Sequence, residues 1–362
     1  MTKNAYIHIP FCKQKCNYCS FVSFVSQNKQ AEYVNTLCNE IKYRYKGELL
    51  DTLYFGGGTP SLLSIKEIEQ ILGLLNFNKN TEVTFEANPE TLTVEYLEEL
   101  KKLGINRLSL GCQTFNPNIL NIIGRKHSPQ DVIQVVEIAQ NVKFRNINLD
   151  FIYGLPNQTL EEFSSDLRKA ISLGIQHISL YGLKIEEGCV FYKKTPANLP
   201  DSDLQADMYL HAIDVLTAFD FKHYEISNFS KSGFESKHNL NYWDNNSYYG
   251  FGVASHGYEN GVRYSNTTNI KKYLENPYKH DFENTLTNQE KLEESIFLGF
   301  RKIDGIDTQT INSKYGIDFD EKYKSIVKKY IQSGHLIKTN NGYKLSDTGI
   351  LVSNYILADF IQ

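Results

Sequence analysis

The chain has 362 residues and a formal net charge of −4, from 38 basic against 42 acidic side chains. That balance gives no electrostatic case for nucleic-acid binding, and the length exceeds what one core usually fills, which predicts a large domain plus a smaller one. With 41% hydrophobic and 22% charged residues, and no run of about 18 apolar residues, the composition is globular and no helix is expected to span a membrane.

The first residues, MTKNAYIHIPFCK, lack the apolar h-region of a signal peptide, so a cytoplasmic location is expected, with peripheral membrane contact left open. In such a reducing setting six cysteines suit metal ligands or packed thiols better than disulfides. Short apolar runs then alternate with helical periods. Strands are predicted at Ala5–Ile9, Thr52–Phe55, Glu82–Glu86, Arg107–Leu110, Asn146–Phe151 and His177–Leu180. Helices are predicted near Gln30–Tyr45, Ile65–Leu75, Val94–Leu103, Gln130–Ala139 and Leu160–Leu173. The stripe Val94, Leu97, Leu100, Leu103 stops at Gly104, which suits a helix C-terminus. Strands separated by helices mean βαβ units and a parallel sheet. Six units fall short of the eight of a closed barrel, so the expected fold is an α/β partial (β/α)6 barrel, with an open doubly wound sheet as competitor.

Past residue 185 the pattern changes. A helix near Ser202–Phe219 precedes a Tyr-, Asn- and Gly-rich stretch over 221–264, and Asn284–Asn288 has the composition of a boundary. Helices at Gln289–Arg301 and Phe319–Ile331, a hairpin turning at Thr339–Gly342, and a last helix Asp347–Phe360 suggest a winged-helix-like module without a basic face. The expected division is therefore 1–185, the barrel; 186–284, an extension of it; and 285–362, the small C-terminal domain.

The chemistry begins at Cys12-Lys-Gln-Lys-Cys16-Asn-Tyr-Cys19. Thiolates are soft donors suited to iron–sulfur clusters or zinc, and three of them on one loop leave one iron of a 4Fe-4S cubane open. A zinc site completed by His8 or a distant residue is the plainer alternative. Further polar positions fall at or just past successive strand ends, where parallel barrels place ligands. They are Gly56-Gly57-Gly58-Thr59-Pro60, Glu86-Ala-Asn-Pro89, Gly111-Cys-Gln113, Gly124-Arg125, Asp150-Phe-Ile-Tyr-Gly154 and Tyr181-Gly182. Cys38, Cys112 and Cys189 have no partner at ligand spacing and are read as packed thiols. His211 and His223 are read as structural.

The cysteine loop resembles that of the radical S-adenosylmethionine superfamily. The longer stretch Tyr6-Ile-His-Ile-Pro-Phe-Cys12, with the strand-end motifs in order, resembles its oxygen-independent coproporphyrinogen III dehydrogenases and their relatives along essentially the whole chain. The resemblance implies a 4Fe-4S cluster on Cys12, Cys16 and Cys19 with S-adenosylmethionine on the open iron. It implies that Glu86 and Arg125 hold the amino-acid end of that cofactor and that Gln113 and Asp150 hold the ribose. Gly57, Gly58 and Thr59 would lie along the methionyl group, Tyr18 and Gly182 would flank the adenine, and Tyr6 would contact the cofactor from the first strand.

Two departures set the chain apart from the dehydrogenases. Phe21 stands where the enzymes have a further cysteine, and only eleven residues precede Cys12, where they carry a longer segment. A third feature, His238-Asn-Leu-Asn-Tyr242-Trp243, holds the single tryptophan and resembles the motif of a heme-chaperone branch of the same family. That resemblance implies heme as a further ligand, with His238 and Trp243 in its site, His256 as the second candidate iron ligand, and an acceptor such as a respiratory cytochrome. On residue types alone the same cluster reads as barrel lid, with His238 hydrogen-bonded in the core. The alternative function is radical-based oxidative decarboxylation of coproporphyrinogen III in porphyrin biosynthesis, and whether the chain is an enzyme stays open.

Overall fold

Six strands run parallel in unbroken chain order in the computed structural model, which describes residues 2–361. They are β1 (Asn4–Ile9), β2 (Thr52–Gly57), β3 (Glu82–Ala87), β4 (Arg107–Gln113), β5 (Ile147–Tyr153) and β6 (His177–Gly182). A doubly wound sheet reverses its order at a switch point, and this one does not. The sheet is the expected partial barrel, extended by three short strands. β7 (Lys222–Glu225) and β8 (Asn228–Ser230) add antiparallel beyond β6, and β9 (Tyr249–Phe251) adds parallel beyond β1.

Period-two alternation gives the barrel two different faces. Ala5, Ile7, Ile9, Leu53, Phe55, Val83, Phe85, Leu108 and Leu110 point outward and are buried in the main core with the helix stripes. The inner face is polar. Asn4 bonds Thr52, Asn148 bonds Ser109 and His177, and Tyr54 bonds Glu86, so these side chains share one interior. Parallel strands buried on both sides normally read apolar throughout, and a polar inner face marks a barrel that holds something other than its own core.

Helix ends follow local chemistry. Ser64, Ser128, Thr159 and Thr287 each begin a helix with a reciprocal capping box. Gly104 takes φ +92° just past the Val94–Lys102 helix, as its sequence position predicted.

A second apolar cluster, including Leu292, Ile296, Phe300, Phe319, Tyr323 and Phe360, gathers the C-terminal elements. The predicted hairpin forms between Leu336–Lys338 and Gly342–Leu345, and Ile306–Asp307 adds a third antiparallel strand. Three details differ from expectation. The Phe319–Ile331 helix is two helices, Phe319–Lys322 and Lys324–Gln332. The last is likewise two, Asp347–Leu351 and Ser353–Ala358. An unanticipated helix occupies Thr308–Tyr315; only its Ile311 is buried, too little to make a stripe.

Candidate functional site

The loop after β1 is fixed at several points. Cys12 N–H donates to the Phe24 carbonyl and Phe24 N–H to that of Pro10, while Asn17 donates from its backbone to Ile123 and from its amide to Ile122. Held this way, Cys12, Cys16 and Cys19 are free, half-buried thiols that line one cavity of about 430 Å³. Thr59 Oγ1 lies 3.6 Å from Cys12 Sγ, and Arg125 Nη1 lies 3.8 Å from Cys16 Sγ. Burial, reinforced by the neighbouring thiols, pushes Cys19 up to about 11, and burial raises Cys12 as well. Ionising three thiols that share one cavity requires a positive centre among them. Among the described residues no three His, Cys, Asp or Glu side chains converge tightly enough for a single metal ion. A cubane cluster makes a different demand, since each thiolate takes a different iron, and the soft donor set fits it.

The same cavity gathers the strand-end positions. Tyr18, Gly57, Gly58, Thr59, Glu86, Gln113, Arg125, Asp150 and Gly182 all border it. Glu86 accepts from Tyr54 Oη at 2.7 Å and from Gly57 N–H at 3.1 Å. Its carboxyl lies deep enough that burial pushes its pKa up to about 7. Asp150 accepts from Asn148 at 2.8 Å and Ser109 at 3.2 Å, and burial raises it too. Arg125 is clamped by Gly111 O at 2.6 Å and Asn88 Oδ1 at 2.9 Å. A register shift at Gly111/Gln113, with Gln113 at φ +70°, ends β4. An acid on β3, a base in the loop after the Pro117–Ile122 helix, and an amide and a second acid on β4 and β5 thus face one cavity beside the cysteine loop, a set suited to a zwitterion.

Gly57 shows how tightly the backbone is drawn in. It takes φ +110°, and a Cβ there would sit 2.5 Å from the His8 ring. Gly57→Ala is therefore expected to cost on the order of 1–3 kcal/mol in backbone strain and steric conflict and to displace the amide that faces Glu86. Chemical denaturation of the variant measures the total, and Gly47→Ala, at φ +88° but in open space, gives the backbone part alone.

Four predicted residues lie elsewhere. Tyr6 bonds His8 Nδ1 at 3.0 Å and stacks on Tyr54, which stands between it and the cavity. His238 is buried at the other end of the barrel. Its Nδ1 meets Thr52 Oγ1 at 2.7 Å and its Nε2 meets Tyr242 Oη at 2.8 Å. Glu82, at the start of β3, accepts from the N–H groups of Lys237 and His238 and so anchors the Lys237–Trp243 helix under the barrel. Both ring nitrogens are engaged, so iron ligation by His238 would require breaking one of these contacts. Trp243 borders a separate crevice. His256 is exposed at the start of the His256–Glu259 strand, near enough to His8 to oppose that ring's protonation.

Sequence reasoning missed Tyr54 and Ser109 in the cavity wall. Tyr54 and Ser109 each sit two residues before a motif glycine, and strict alternation along the strand points to them. It also missed Arg107, a fully buried guanidinium whose Nε has no partner among the described residues, two positions below Ser109.

The radical SAM superfamily model matches residues 6–170, and the HemN C-terminal domain model matches residues 286–352. The heme chaperone HemW of Bacillus subtilis is 37% identical, covering 99% of this chain and 99% of its own length. The Escherichia coli heme chaperone HemW is 33% identical over 98% of this chain and 97% of its own. The solved structure of coproporphyrinogen III oxidase (HemN) from Escherichia coli superposes with a TM-score of 0.88, covering 100% of this chain and 90% of that one, at 22% identity. At that identity the likeness speaks for the fold alone.

Proposed function

The chain belongs to the heme chaperone HemW family within the radical SAM superfamily, and from that premise we propose that it binds heme and passes it to an acceptor protein. In this reading Cys12, Cys16 and Cys19 hold a 4Fe-4S cluster. Glu86, Gln113, Arg125 and Asp150 hold S-adenosylmethionine, which in this superfamily supplies radical or redox chemistry when bound. The residues of the chain do the positioning. Glu86 offers its carboxylate to an ammonium, Arg125 its remaining N–H groups to a carboxylate, and the Gly57 and Gly58 backbone lets the methionyl part approach.

One observation carries the choice between chaperone and decarboxylase. The cysteines lie beyond the C-terminal end of β1, whereas the HNLNYW helix is fixed to Thr52 and Glu82 at the N-terminal ends of β2 and β3. Between them stands Tyr54, whose ring stacks on His238 with centroids 5.0 Å apart and whose Oη donates to Glu86 in the cavity wall. A porphyrin held at that helix lies behind this layer of side chains and does not share the cluster's cavity. Storage and transfer do not need a shared cavity, and decarboxylation does.

Anaerobically reconstituted protein is expected to take up heme with a shifted Soret band and to leave coproporphyrinogen III unconverted. Conversion at ordinary enzyme rates, about 1–10³ s⁻¹, without heme uptake would reverse the assignment.

A further inference from the structure

Arg107 opens β4 on the inner face of the barrel, two residues below Ser109, and is among the largest fully buried side chains of the chain. A buried guanidinium is normally paired, because taking its charge out of water is costly. The ion-paired arginines among the described residues are Arg44, Arg263 and Arg301, and Arg107 is not one of them. Its Nε also lacks a hydrogen-bond partner there. Two other buried acids of the sheet are committed elsewhere. Glu82 accepts from the backbone N–H groups of Lys237 and His238, and Glu225 stands 3.9 Å from Arg301. The His177 and His238 rings are engaged at both nitrogens, and burial together with the Arg107 charge keeps them neutral.

What remains for this charge is the layer above it. Register places Arg107 opposite Thr84 on β3, with Glu86 two residues further along the same face. Ser109, two residues further along β4, donates to Asp150 on β5. Arg107 thus underlies both carboxylates that border the cavity, and its field favours the ionised form of each. Burial opposes that form in both, and Asp150 further opposes the ionisation of Glu86. Tyr6, Tyr54, Tyr181, Tyr242 and Cys112, the other titratable groups around the pair, are all raised by burial and stay neutral.

We propose that Arg107 is a positioning residue of the cofactor site, a fixed charge beneath the cavity that lets Glu86 and Asp150 be ionised together, one for the ammonium and the other for the ribose. The inference rests on the proposed assignment of S-adenosylmethionine to these acids and adds the charge that makes them usable near neutral pH. Arg107 touches neither cofactor nor cluster in this role. At the spacing of diagonal neighbours, about 8 Å, such a charge alters a carboxyl pKa by about one unit.

The test titrates S-adenosylmethionine calorimetrically into the full, cluster-loaded chain from pH 6 to 9. Wild type is expected to show a bend near pH 7, set by Glu86. Arg107→Met is expected to move the bend up by about one unit, leaving affinity about tenfold lower at pH 6 and nearly equal at pH 9. Arg107→Lys keeps the charge and is expected to hold the bend near its wild-type position. A bend unmoved in Arg107→Met, or a loss of equal size at every pH, overturns the proposal and leaves the assignment of the acids standing. A wild-type affinity that does not vary with pH removes both. If Arg107→Met unfolds, circular dichroism at pH 5 and pH 8 decides. Folding at pH 5 alone, where Glu86 is protonated, supports the charge role, and failure at both makes Arg107 structural and overturns it.

Discussion

Replacing Cys12, Cys16 or Cys19 by Ala is expected to abolish iron and sulfide incorporation, whereas Cys38→Ala, Cys112→Ala and Cys189→Ala leave it intact. The first three thiols border one cavity, and the second three are buried, each in its own packing environment. Cys112 lies wholly inside, with its thiol toward the Thr114 carbonyl. Cys38 sits on the buried face of the Gln30–Arg44 helix, and Cys189 begins the Val190–Lys193 helix. The effect is all-or-none because the loop offers three ligands and no spare. Phe21, at the position of a further cysteine in the dehydrogenases, is an exposed ring. Cluster loss also removes the centre that offsets the raised pKa values of Cys12 and Cys19. Iron and sulfide per chain, with the magnetic spectra of the reduced protein, measure this. Stoichiometric zinc in place of iron would defeat the cluster assignment.

The cluster loop and the strand-end motifs were legible because each is local. A cysteine, a glycine, an acid or an amide lies within a few residues of the end of each apolar run, and the parallel topology brings six such ends together. What the sequence could not reveal depends on distant partners. His238 finds Thr52 186 positions away and Glu82 156 positions away, and nothing in HNLNYW announces that its histidine closes the barrel floor. β9 is three residues long and pairs with a strand over two hundred residues earlier, so its periodicity carries no signal. Strand ends ran past their predicted limits for a related reason. Gly111-Cys112-Gln113 has weak β propensity, yet β4 continues through it because β5 supplies the ladder. The second crevice is tertiary in origin too, since its walls come from stretches some fifty residues apart in the chain.

The affinity for S-adenosylmethionine is expected to fall about tenfold per pH unit below about pH 7, and Glu86→Gln is expected to remove that slope. Glu86 faces Tyr54 from β2, Asp150 from β5, the Gly57 amide and, from β4, Arg107. Burial dominates these and holds its carboxyl near 7, against 4.5 for an ordinary glutamate. The ammonium of the cofactor, assigned to Glu86 in the proposed function, needs the ionised carboxylate. Binding below pH 7 therefore expels a proton and weakens as protons become abundant, while above pH 7 the acid is already ionised and the curve flattens.

The apo protein behaves in the opposite sense. A carboxyl with a raised folded pKa contributes its full stability below pH 4.5, loses it progressively up to about 7, and leaves the ionised group a net burden beyond that. A shift of this size is worth about 3 kcal/mol, so apo Glu86→Gln is expected to be more stable than wild type at pH 8 and nearly equal to it at pH 4.5. In the variant the cofactor loses a buried charge partner, which typically costs on the order of 2–5 kcal/mol of affinity. One substitution should thus stabilise the empty protein and weaken the loaded one. Calorimetric titration in two buffers of different ionisation enthalpy counts the released proton, and thermal melts at pH 4.5 and pH 8 read the stability. Equal affinity for wild type and variant across pH 6–8 would remove Glu86 from the cofactor's amino group.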